Sequence, residues 1–506
     1  MRSISMLFIL FVLTFSCSSS KVENKTALHM NIEQDPSSLD PRNSRSLAER
    51  NLMGMLFEGL TREGRSGKSE LALAESFVRS DDGLFYTFLL KDANWSNGDK
   101  IQAKDFLYAW QTALSPDFPS ENAYQLFCIK NAKEIKEGKR PVSDLGVYIS
   151  GERTLQICLE HPVAYFLELL SFPIFFPVHE KGFFSGPFVC KEWKHNNYIE
   201  LVKNEQYFDA ENVHLSSIYL TMVSPETEIQ MFEKGELDFA GSPISTISLD
   251  RMEEYKKKNQ LHYAPMLGTR FFRINVEDSF LQNRYIRKAL ALAIHRKDMI
   301  DHILQGYQKV ALQFLPTSPL SYLSDANLDE ARELFQKGLE ELSLTRENMP
   351  KIKILCVGNQ QNKLIAQAVQ QDWKQALDID VSIEVNEVKV YYGRLDQKDY
   401  QIALGSWIAD YNDGENFLEI FKTKTSSNNN TQWESDEYLT LLESAKNLEG
   451  EERESKLFHC ESILMRDLPI IPLYHFSAHY VKNPRLQGER LSSIGNIDLK
   501  WAYLDR

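Results

Sequence analysis

Hydrophobic positions along the chain switch between two spacings. Ile352 and Ile354 alternate with lysines, and Val381, Ile383 and Val385 alternate with other residues, the period of strands with one buried face. Between them Ile365, Val369, Trp373 and Leu377 recur at four-residue intervals, which predicts a helix lying against a sheet. Tyr400, Ile402 and Leu404 predict a buried strand that breaks at Gly405 into a short segment holding two aromatics and two carboxylates. That segment is Gly405-Ser406-Trp407-Ile408-Ala409-Asp410-Tyr411-Asn412-Asp413, and Asn412-Asp413-Gly414 signals a turn. Earlier, Leu52, Met55 and Leu56 form the apolar face of one helix. A second runs from Ala103 through Tyr108 and Trp110, after hairpin strands and an Asx-rich turn. Gly235 ends a helix over 225–234, and Leu237 and Phe239 begin a strand. Strands and helices alternating from residue 28 predict a mixed α/β protein without internal repeats.

The amino terminus is of another kind. Met1-Arg2 and the run Met6 to Leu13 read as a secretory signal, too short to span a bilayer. Thr14-Phe15-Ser16-Cys17 resembles a lipoprotein cleavage site, so residues 1–16 are expected to be removed and Cys17 acylated; an ordinary cleaved signal is the alternative. The polar stretch 17–27 suits a tether. With 506 residues, 43% of them apolar, the chain has material for two or three lobes. A net charge of −14 argues against nucleic acid as a partner. Cys128, Cys158, Cys190, Cys356 and Cys460 remain beside Cys17, an odd number that demands at least one free thiol or an intermolecular bond. Their spacing gives no zinc-like pair.

Several blocks resemble one family. Trp407, Ala409, Asp410 and Tyr411 match a small-Trp-x-Ala-Asp-Tyr motif. Trp95-Ser96-Asn97-Gly98 with Ala103-Lys104-Asp105-Phe106, Phe57-Glu58-Gly59-Leu60, Gly186-Pro187-Phe188, Gly235-Glu236-Leu237-Asp238 and Leu468 to Tyr474 follow in matching order. Together they resemble the oligopeptide-binding proteins of ABC importers from about residue 28 to the carboxyl terminus. The resemblance implies a two-lobed periplasmic-binding-protein (Venus-flytrap) fold of the α/β class, with mixed sheets and an extra small domain. Lobe I would comprise 28–62, 183–265 and 479–506, the appended domain 63–182, and lobe II 266–478, opened by a strand and a long helix over 271–306. It implies short peptides as ligands and a membrane permease as partner, for a monomer without cofactor. Asp410 would pair with the peptide's amino terminus, with Gly405, Ser406, Trp407, Ile408, Tyr411, Tyr108 and Tyr474 completing the site.

The departures are also informative. Gly268 and Ile408 stand where some members carry a disulfide, and Asn283 and His295 where aspartates are usual. Cationic positions that meet a peptide's terminal carboxylate in the best-matching members are Leu404 and Asn362 here, and an aromatic one is Val388. Two outcomes stand open: the carboxylate meets neutral groups, or Lys363 or another nearby Lys or Arg supplies the charge. On the same fold, binders of murein peptides, metal chelates or haem are the alternatives. His475 and His479 share a strand face and would be the metal candidates. Gly67-Lys68-Ser69 lacks the first glycine of a phosphate loop, His179-Glu180 lacks a second histidine, and no Gly-x-Ser-x-Gly elbow occurs, so no catalytic residue is assigned and a secreted hydrolase has no constellation behind it.

Overall fold

The computed structural model describes residues 26–505, apart from 45, 65–67, 121, 427 and 447 and the side chains of 249 and 250. Cys17 and the segments 1–16 and 17–25 lie outside the described residues. A four-stranded sheet pairs Ala27–Asn31 in parallel with Ser217–Thr221, followed by Tyr198–Lys203 and Phe188–Lys194. A second four-stranded sheet is antiparallel throughout: Ala74–Arg79, Phe85–Leu90, Thr154–Cys158 and Val147–Ile149. One continuous core joins these two sheets, with Trp95, Phe106 and Trp110 fully buried in it.

The third and largest sheet has its own core. Its path is Phe239–Gly241, Ile470–Lys482, His262–Ile274, Ile402–Ile408, Ile352–Val357 and Val381–Asn386. The expected helix is Gln360–Leu377, and Ile365, Val369, Trp373 and Leu377 are all buried on the sheet. Val388–Asp396 covers the other face, where Tyr391 and Leu395 pack on Leu355, Tyr400 and Ala403. The two thirteen-residue strands His262–Ile274 and Ile470–Lys482 run beyond the large core into a smaller cluster around Ile229, Tyr255 and Val481. Their register shifts between Pro265 and Thr269.

Two elements differ from expectation. The long helix over 286–306 is broken. Arg284–Leu292 is capped by Asn283, whose side chain accepts from the amides of Tyr285 and Ile286. The chain restarts only at Arg296, because Asp372 accepts from the His295 amide and Asp325 from those of Arg296 and Lys297. Four carboxylate hydrogen bonds at this joint, one of them from the His295 ring, outweigh continuing the helix. The strand expected to break at Gly405 continues to Ile408, since His262–Ile274 pairs with all seven of its residues. No helix among the described residues is long and apolar enough to cross a membrane.

Candidate functional site

The strand Ile402–Ile408 has two unlike edges. One is paired along its length, from Ile274 opposite Ile402 to Gly268 opposite Ile408. The other touches Ile352–Val357 only through Ile402 and Ala403, because that strand turns away into the helix beginning at Gln360. From Leu404 to Ile408 this second edge has no strand partner among the described residues. Alternate residues present their amide and carbonyl to the same edge. The Leu404 carbonyl there accepts from Tyr391 Oη at 2.9 Å, and the Ser406 carbonyl from Arg273 Nη2 at 3.4 Å. Gly405 is required by this packing. A Cβ there would collide with the Arg273 guanidinium, which lies across the strand where a side chain would stand.

Past Ile408 the chain turns, and Asn416 fixes the turn. Its Oδ1 accepts from Trp407 Nε1 at 2.8 Å and from the Asp410 amide at 3.1 Å. Two distant parts of the chain then converge on the Asp410 carboxylate. Tyr124 donates its hydroxyl to Oδ2 at 2.8 Å, and Arg50 brings Nη1 to 4.0 Å from Oδ1. Arg50 is positioned by the Ile494 carbonyl, 2.5 Å from Nη2, and by the Phe172 ring. Burial raises the Asp410 carboxyl above its usual range, opposed by the charge of Arg50 and the hydrogen bond from Tyr124. Burial also lowers the Arg50 guanidinium, only partly offset by Asp410. Tyr411 stacks on Tyr165 at 4.1 Å between ring centroids, linking the large sheet's turn to the appended sheet's segment.

Beneath this turn Arg453 bridges Asp413, at 2.5 and 3.0 Å, and Glu415, at 2.6 Å. Burial disfavours its charge, yet the hydrogen bonds and charges of Asp413 and Glu415 hold the guanidinium protonated above the usual range. Burial and the neighbouring Glu419 push the Glu415 carboxyl up to about 7. A cavity of about 550 Å³ lies beside Arg50, lined by Phe57, Phe172, Phe176, Arg62, Ser492 and Asn412 among others.

The expected residues thus divide. Gly405, Ser406, Trp407, Ile408, Asp410 and Tyr411 form one continuous rim. Tyr474 is buried across from Arg270 in the sheet register, on the neighbouring strand. Tyr108 instead faces the Arg42 guanidinium, 5.8 Å from its ring. Gly268 and Ile408, the two positions matched to a disulfide, are direct cross-strand neighbours. Cys128, Cys158, Cys190, Cys356 and Cys460 are free thiols. His475 Nδ1 meets Thr269 Oγ1 at 2.9 Å, and His479 Nε2 accepts from the Tyr307 amide at 2.9 Å. Burial holds both imidazoles down to about 4, so both are neutral at pH 7. Sequence reading missed Arg50, Tyr124 and Asn416, which meet Asp410 only through the fold.

The geometry has close counterparts. The family model described as bacterial extracellular solute-binding proteins, family 5 (middle), matches residues 68–429. The chain is 34% identical over 507 residues to the oligopeptide-binding protein OppA of Bacillus subtilis (strain 168), covering 95% of this chain and 93% of that one. Among solved structures, the Escherichia coli murein tripeptide binding protein MppA superposes with a TM-score of 0.82 at 25% identity, over 96% of this chain and 99% of that chain. The Haemophilus influenzae OppA in complex with RPPGFSPFR superposes with a TM-score of 0.81 at 26% identity, over 96% of this chain and 100% of that chain.

Proposed function

Since the chain belongs to the bacterial extracellular solute-binding proteins of family 5, we propose that it captures short peptides between its lobes and delivers them to an ABC-type permease. The observation that carries this reading is the unpaired edge from Leu404 to Ile408 ending at a carboxylate. An extended peptide added to that edge gains backbone hydrogen bonds that are indifferent to its side chains. Its ammonium, arriving at Asp410, makes a charge-assisted contact in a largely desolvated site. Ser406 and Ile408 offer the backbone groups, and Trp407 and Tyr411, fixed by Asn416 and Tyr165, wall the amino-terminal end.

Lobe I takes in 28–62, 183–265 and 479–506, the appended domain 63–182 and lobe II 266–478. The hinge lies where the two long strands leave the large core, near the register shift after Pro265. Tyr124 and Arg50 close on Asp410 from the opposite side of the cleft, so ligand capture and lobe closure meet at one carboxylate. The protein acts by binding and closure as a monomer and brings no catalytic group. Acylation of Cys17 holds it at the membrane face, beside the permease.

One measurement covers both parts of this reading. Mass spectrometry of protein purified from membranes is expected to release short peptides on denaturation and to show a lipid-modified Cys17 as the amino terminus. Release of a metal chelate or haem in place of peptides would overturn the ligand class. A mature terminus without acyl mass would remove the anchor.

A further inference from the structure

The Arg50 guanidinium is loosely matched to the carboxylate it faces. Its Nη1 lies 4.0 Å from Asp410 Oδ1, close enough to supply charge but too far for a hydrogen bond. Its Nε is buried without an acceptor, and it is otherwise held by the Ile494 carbonyl and the Phe172 ring, both neutral. Such a group balances Asp410 with donors to spare. A second carboxylate stands nearby. Glu63 lines the same cavity of about 550 Å³ as Arg50, and its Oε2 is buried without a hydrogen-bond partner. Burial raises the Glu63 carboxyl, against Ser492, Asn496 and the charge of Arg50. Gly54, one turn after Arg50 on the helix Leu47–Leu56, lines the cavity as well. A Cβ at Gly54 would meet nothing within 4 Å, so the space on this side of Arg50 is open to a long side chain.

We propose that Arg50 is a displaceable counterion: it balances Asp410 when no ammonium reaches that carboxylate, and it yields to a peptide's amino terminus by turning through the cavity towards Glu63. Arg50 thereby sets how sharply free and blocked amino termini are distinguished. The proposal rests on the peptide reading above. A buried carboxylate without a counterion is costly, so Asp410 keeps a cation beside it or takes up a proton. A ligand ammonium supplies that cation at hydrogen-bond distance, and its like charge drives Arg50 away. An N-acetylated peptide brings no charge; Arg50 then stays, and Asp410 remains balanced. The guanidinium thus softens the penalty for blocked peptides and adds a competitor that free peptides must displace. Both effects narrow the discrimination, and both vanish with the charge. A residue that only holds Asp410 in place predicts the opposite sign, because its loss would weaken free peptides and bring them closer to blocked ones.

Competition calorimetry with trialanine and its N-acetyl form, on the native protein, Arg50→Gln and Glu63→Gln, reads that sign. The ratio of the two affinities is expected to widen by about tenfold or more in Arg50→Gln, with trialanine bound at least as tightly as by the native protein. It should narrow by about threefold or more in Glu63→Gln, where Arg50 loses the group that receives it. Titrating the N-acetyl form in buffers of different ionisation enthalpy needs no variant. Asp410 balanced by Arg50 takes up no proton when this ligand binds, whereas an unbalanced carboxylate does. A ratio that narrows or stays within about threefold of the native value in Arg50→Gln, or proton uptake by the native protein, would overturn the displaceable counterion. The peptide reading would survive either result so long as acetylation weakens binding to the native protein. Equal native affinity for the two forms would instead overturn the role of Asp410 and this inference with it.

Discussion

Replacing Asp410 by alanine is expected to weaken peptides with a free amino terminus by roughly 30- to 5,000-fold, matching about 2–5 kcal/mol for truncating one partner of a buried, hydrogen-bonded charge pair. The loss is large because the site offers the ammonium little else. Tyr124 presents a hydroxyl that already donates to Oδ2, and Arg50 presents like charge. Removing the carboxylate leaves the ligand ammonium facing the like charge of Arg50, with only the neutral Tyr124 hydroxyl to accept from it. Peptides without that charge, being N-acetylated, bind weakly to both forms and change little between them. Fluorescence titration, with thermal unfolding to verify the variant's fold, measures the effect. A change below threefold in a folded variant would place Asp410 outside the ligand site.

Arg453→Met is expected to cost about 3–5 kcal/mol of stability, the typical result of breaking a buried ion pair from one side. The arginine side chain is 6% exposed and Glu415 only 2%, so the variant strands two acidic groups where water scarcely reaches. The deficit should depend on pH in a definite direction. In the native protein Glu415 titrates at about 7, above its unfolded value, so its contribution to stability already declines as pH rises from 4.5 towards 7. Without Arg453 its folded pKa rises further, and the variant's folded state holds a proton that the native protein has released. The deficit therefore widens as pH rises above 7. Urea unfolding at several pH values gives the comparison; a deficit below about 1 kcal/mol at pH 8 would mean that the network is not stabilising the turn. Peptide affinity should fall as well, because Asp413 and Glu415 fix the segment that presents Asp410.

Much of this was legible in the chain itself. Period-two runs at 352–354 and 381–385 and the four-residue spacing from Ile365 to Leu377 are local signals, and they mark a strand–helix–strand unit. The segment around Trp407 and Asp410 was legible as chemistry. Its extent as a strand was not, because Gly405 suits a break when read alone, and only Arg273 lying over it explains its place inside a paired strand. The partners of Asp410 were hidden for a different reason. Arg50 sits on a helix whose apolar face is set by Leu52, Met55 and Leu56, and there a charged residue reads as solvated surface. Arg453, within Glu451-Glu452-Arg453-Glu454, reads the same way, although the fold buries it. One signal was present and open to use: in Thr269-Arg270-Phe271-Phe272-Arg273 two arginines stand among three buried residues, where a guanidinium is costly unless polar groups serve it. The helix break at His295 had no such signal, since Asp325 and Asp372 reach it from distant segments.

In the proposed function a peptide's amino terminus is read at Asp410 in the cleft between the lobes. Isothermal titration of one tripeptide in its free and N-acetylated forms, against the unmodified protein, tests this most directly. Acetylation is expected to weaken binding by about 30-fold or more, roughly 2 kcal/mol. Equal affinity for the two forms would contradict it.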